Sequence, residues 1–105
     1  MDTRPRLITG VFVYTDLPPD ANAGSDQLAN DTDGNGLETV TLDGSGSSDS
    51  NGTIVTYTWT EAGNPIATNV NPEVSLTVGP HSITLTVTDD DGATDTDDVV
   101  VIING

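Results

Sequence analysis

The chain has 105 residues, of which 33% are hydrophobic and four are aromatic: Phe12, Tyr14, Tyr57 and Trp59. Its 17 acidic residues face only Arg4 and Arg6, for a formal charge of −15, and it has neither lysine nor cysteine. This balance excludes nucleic acid, whose binding needs cations to displace condensed counterions, and an anionic membrane surface; it also leaves no disulfide framework, no thiolate metal site and no Lys–Asn isopeptide crosslink.

One modest core is all that a chain of this size can bury. With so few aromatics, that core must come from Val, Ile, Leu and Thr, whose branched side chains suit pleated, half-buried surfaces. Self-repulsion at −15 predicts a working environment of divalent cations, high salt, or both.

In chain order, periodicity reads as β throughout. Residues 7–14 form an apolar strand, well short of the roughly 20 residues of a membrane span. Nothing resembling a signal cleavage site follows it. Pro18 and Pro19 break it, because proline cannot donate to a ladder. Residues 21–28 give at most a short edge strand. Residues 38–43 alternate, with Val40 and Leu42 on one side. The clearest strand is 53–61, with Val55, Tyr57 and Trp59 predicted on one face and Ile54 and threonines on the other. Residues 66–68 make a small edge piece, and 74–78 another strand. Residues 81–88 place Ile83, Leu85 and Val87 together. The last run, 97–103, is apolar on both faces, which frees one face to meet something beyond a sandwich core.

Asp-x-(Asp/Asn)-Gly occurs three times between these strands: Asp31–Gly34, Asp49–Gly52 and Asp89–Gly92. Asx side chains cap turns and Gly takes positive φ, so each is first of all a turn. The segment from Asp31 begins like an EF-hand loop, but Leu42 stands where the bidentate Glu belongs and Glu38 comes too early.

Four ordered motifs resemble the PKD (polycystic-kidney-disease repeat) family. They are Pro18-Pro19-Asp20-Ala21-Asn22-Ala23-Gly24-Ser25-Asp26, the loop Leu42–Ile54, Tyr57-Thr58-Trp59, and Leu85–Ala93. The resemblance covers about residues 18–103. It implies an all-β, immunoglobulin-like, two-sheet antiparallel sandwich over residues 18–105. The arm, residues 1–17, precedes the family's usual start and is mostly not explained by it; its extra strand is read from the apolar run 7–14 alone. One departure matters: Trp59 is followed by Thr60-Glu61-Ala62-Gly63-Asn64 rather than the family's Asp-Phe-Gly-Asp-Gly. No role of that loop is carried over.

The resemblance also implies a calcium site where three segments converge at one end of the sandwich. Mapped by motif, its ligands are Asp16, Asp49 and Asp89, with Asp91 and carbonyls near Leu17 as second choices. Ordinary solvated turn aspartates are the competing reading. Trp59 is expected in the core and Tyr57 beside it, against a sugar-stacking platform. His81, without a second His or Cys, is expected at the surface rather than on a transition metal. No nucleophile elbow surrounds Ser45, Ser47 or Ser48, so the chain is read as non-catalytic.

Three functions stay in view: an extracellular or cell-surface spacer, adhesion or assembly module stabilised by Ca²⁺; a filament subunit; and a carbohydrate-binding accessory domain of a secreted hydrolase. In the second, protein partners or further copies associate through strand 7–14, with Leu7, Val11 and Val13 as the donated side chains. The third would take polysaccharide as its partner.

Overall fold

The computed structural model describes residues 17–105. The predicted arm strand 7–14, with Leu7, Val11 and Val13, lies outside them, as does Asp16. Seven strands follow in order: β1 (Gln27–Asn30), β2 (Leu37–Thr41), β3 (Ile54–Glu61), β4 (Asn64–Thr68), β5 (Glu73–Thr77), β6 (Gly79–Asp89) and β7 (Thr94–Asn104). Five of them form one sheet, in the order β1-β7-β6-β3-β4, and β2 pairs with β5 in a second. The sandwich is antiparallel except for β1, which runs parallel to β7 with Leu28 opposite Ile102.

Alternation decides what each sheet buries. On β6, Ile83, Leu85 and Val87 point inward while Thr84, Thr86 and Thr88 point out. Val99, Val101 and Ile103 of β7 join them, and Val40, Leu42, Val74 and Leu76 close the core from the smaller sheet. Trp59 is fully buried at the centre, where its indole N–H donates to the Asn69 carbonyl at 2.9 Å. That bond answers the cost of burying an indole donor. It also removes Trp59 from any sugar platform, while Tyr57 stays half-buried against the core.

Two expectations need correction. Val55 was predicted beside Tyr57 and Trp59, yet it is 58% exposed and Ile54 packs on the core instead. The cause is a β-bulge: Ile54 stands opposite Asp89 but Thr56 opposite Thr88, so β3 carries one extra residue there. A bulge reverses which residues face inward on one side of it. The predicted edge piece 21–28 is also mostly not a strand. It is an extended segment held by side chains until β1 begins at Gln27.

That attachment is made by carboxylates. The backbone N–H of Ala21 donates to Asp95 Oδ2 and that of Ala23 to Asp97 Oδ2, each at 2.8 Å. Asp95 and Asp97 lie on the inward side of β7, opposite Val87 and Leu85. They receive a neighbouring segment's amides where a strand would offer carbonyls. A single bridge, Asp20 with Ser48, then ties this segment to the 43–53 loop.

Candidate metal centre

The end of the sandwich where β6 leaves and β3 enters gathers three carboxylates. Asp49, Asp89 and Asp90 each offer one oxygen, and these oxygens lie within 4.8 Å of one another. Asp89 is 2% exposed, the one buried acidic residue among those described. Its Oδ1 accepts the backbone N–H groups of Asp91 (2.9 Å) and Ala93 (2.8 Å), which folds the β6–β7 turn around it. Asp49 Oδ1 accepts from Asn51 N at 3.2 Å, and Asp90 Oδ1 from Thr53 N at 3.2 Å. Asp49 and Asp89 thus each spend one oxygen on their own turn, and Asp90 spends one on tying the β6–β7 turn to the 43–53 loop.

The remaining oxygens decide the chemistry. Asp49 Oδ2 and Asp89 Oδ2 are out of contact with solvent and have no hydrogen-bond partner among the described residues. A buried carboxylate oxygen without a donor or cation is costly. Loss of water at Asp49, together with the neighbouring charges of Asp89 and Asp90, raises its carboxyl above the ordinary 3.8. The cluster holds like charges together with no basic residue in it, which is the donor set that a hard cation takes. Gly52 keeps the space open: a Cβ there would sit 2.5 Å from Asp90 Oδ1 and 3.4 Å from Asp49 Oδ2.

Of the four residues expected at a metal, the structure brings Asp49 and Asp89 together. Asp90 completes the cluster, and Asp91, the second choice, is not among its three carboxylates. Asp91 donates its backbone N–H to Asp89 and, like Asp90, is exposed. Asp16 falls outside the described residues. The Asp31 loop is a self-capped turn: Asp31 accepts from Gly34 N (3.2 Å) and Gly36 N (2.8 Å), and Asn35 Oδ1 from Leu37 N (2.9 Å).

His81, expected at the surface, is instead tucked in, with its side chain only 11% exposed. Nδ1 meets Glu61 Oε2 at 2.5 Å and Nε2 meets the Thr77 carbonyl at 2.7 Å. This second polar site lies at the opposite end of the sandwich and links β6, β3 and β5.

Comparison with known proteins agrees with this architecture. The crystal structure of the PKD1 domain of Vibrio anguillarum Epp matches 86% of the chain and 98% of that domain, with a TM-score of 0.65 and 26% identity. The crystal structure of the PKD1 domain from the Vibrio cholerae metalloprotease PrtV matches 85% and 100%, with a TM-score of 0.63 and 31% identity. In sequence, 51 residues are 49% identical to the Vibrio cholerae pre-pro-metalloprotease PrtV; they make up 48% of this chain but only 6% of that protein. Residues 23–103 match the family model described as K319L-like, PKD domain. Family model, solved folds and ordered motifs agree: this chain belongs to the PKD domain family.

Proposed function

We propose that the chain is a non-catalytic extracellular module whose acidic pole binds calcium through Asp49, Asp89 and Asp90. The observation that carries this reading is the pair of solvent-excluded carboxylate oxygens, on Asp49 and Asp89, that meet no donor. A bound divalent ion would supply the missing positive charge and join the 43–53 loop to the β6–β7 turn. Membership of the PKD family and likeness to a domain of a pre-pro-metalloprotease support a role as an accessory part of a larger extracellular protein. The non-catalytic reading draws support from His81, the single imidazole, whose two ring nitrogens are both engaged and so leave none to take a substrate proton.

The test is thermal unfolding with calcium and with chelator. At free calcium 100 times Kd, linkage adds about 2.7 kcal/mol, or roughly 10 °C for a domain of this size. Asp89→Asn should lose that response, yet melt above the wild type in chelator because one buried charge is gone. A wild-type melting temperature indifferent to calcium overturns the reading.

A second reading adds self-association through an added strand. Among the described residues no strand pairs with the free edge of β3 at Ile54–Tyr57, since β4 covers only Thr58–Glu61. A cleft of about 320 Å³ opens there, between residues 55–58 and 68–70. An apolar strand such as 7–14 of another copy suits such an edge. Deleting residues 1–15 should then abolish association measured as mass in solution; equal masses for the full and shortened chains argue against it.

A further inference from the structure

The outward face of the five-stranded sheet is set apart by what it lacks. Ladder register places Thr68, Thr58, Thr86 and Thr96 in one row across β4, β3, β6 and β7. Thr56, Thr88 and Thr94 form the row nearer the acidic pole, and Thr60, Thr84 and Asp98 the row on the other side. Farther down, Val100, Ile102 and Leu28 are all exposed on the same face, Leu28 by 71%. Among the described residues, Asp98 is the one charged side chain of these rows, and it accepts a hydrogen bond from Thr84 Oγ1 at 2.7 Å. Among the described residues the other acidic side chains lie in the loops, at the poles, on the inward side of β7 and, as Glu38 and Glu73, on the smaller sheet, while Asp26 at the edge of this face accepts the Val100 N–H.

We propose that this neutral threonine and aliphatic face is where a second copy of the module packs, sheet against sheet. The first argument is charge. Two copies at −15 repel wherever acidic loops meet, and like charges set against each other cost several kcal/mol. This broad face lets them approach with Asp98 as the single like charge in its three threonine rows. The outer face of the smaller sheet is only two strands wide and carries Glu73.

The second argument is area. The five strands hold 4, 11, 11, 8 and 5 residues from β1 to β4 across the sheet, and at about 3.3 Å rise and about 4.8 Å spacing they span roughly 620 Å². Both copies together would cover about 1,200 Å², above the roughly 1,000 Å² that a specific interface needs. Two such faces pack aligned, about 10 Å apart, around a twofold axis. Threonine suits an interface that forms and parts. Its methyl packs on the facing sheet, while its hydroxyl keeps the separated module wetted.

Thr86 lies on the central strand and in the central row, so a twofold brings it near its own copy. Sedimentation equilibrium of the full chain tests this. The expected result is a monomer–dimer equilibrium that tightens as salt rises, because screening shortens from about 8 Å at physiological ionic strength to about 3 Å at 1 M. Thr86→Asp should weaken the dimer at least about 100-fold. Thr86→Val should preserve it, and Thr39→Asp, the same charge on the smaller sheet, should leave it within about threefold. Far-ultraviolet circular dichroism confirms that each variant is folded. A wild-type chain that is monomeric at every concentration and salt overturns the proposal, as does equal weakening by the Thr86 and Thr39 variants. Association lost on deleting residues 1–15 but kept in Thr86→Asp assigns the contact to the β3 edge instead. A monomer retained on insoluble neutral polysaccharide, with retention lost in Thr86→Asp, overturns it in favour of a glycan surface.

Discussion

Both ring nitrogens of His81 face acceptors, the Glu61 carboxylate and the Thr77 carbonyl, so the ring satisfies both only as the doubly protonated cation. Burial of the ring opposes that charge, but the Thr77 carbonyl and Glu61 outweigh it and hold the pKa above the ordinary 6.5. The sign of the linkage follows. A raised folded-state value stabilises the fold fully below pH 6.5, and that stabilisation drains away as pH rises through the raised value. Between about pH 6 and about pH 9, the wild type should therefore lose melting temperature relative to His81→Gln; a constant difference between the two overturns the assignment. Pro80-His81 reads as a surface dipeptide, because its partner carboxylate is 20 residues away on another strand. The same limit applied to the metal cluster. The resemblance to the PKD family brought Asp49 and Asp89 forward, whereas Asp90 joins them only through the fold, where its Oδ1 accepts from Thr53 N 37 residues away.

The strands themselves were legible wherever one face is apolar. β3, β5 and β6 fall close to their expected bounds, since alternating Val, Ile and Leu leave little freedom of register. β7 was expected to begin at Asp97 but starts at Thr94. Aspartates on the inward side of a strand contradict its pattern until the amides of Ala21 and Ala23 arrive from 74 residues away. That long-range pairing gives a prediction. Asp97→Ala leaves the Ala23 N–H without its acceptor beside the core, at a cost of about 2 kcal/mol, or roughly 10 °C in melting temperature. Asp97→Asn retains an oxygen acceptor and should lose much less. Equal losses would mean that the bond is not what holds this segment. The bulge at Val55 was hidden for a related reason: nothing local distinguishes an inserted residue from a regular one, and only the partner strand reveals the slip.

At the scale of the molecule, family and fold were readable from four short motifs, because the turns they encode recur in fixed order. Charge distribution was not readable, since net charge says nothing about which face each aspartate occupies. Among the described residues the fold turns Asp95 and Asp97 inward and sends most other acidic side chains to the loops and poles, which leaves the outward face of the broad sheet with few charges. The parallel pairing of β1 with β7 has a mechanical consequence. The described chain enters beside the acidic pole, where Asp20 meets Ser48, and ends at Gly105 against Val78. Tension on the two ends draws β1 back along its own direction and β7 forward along its own. The four β1–β7 residue pairs are then loaded in shear together with the bonds from Asp26, Asp95 and Asp97, rather than unzipped one at a time. A module strung between larger parts of a protein would therefore resist a pull along its length far better than one applied across its strands.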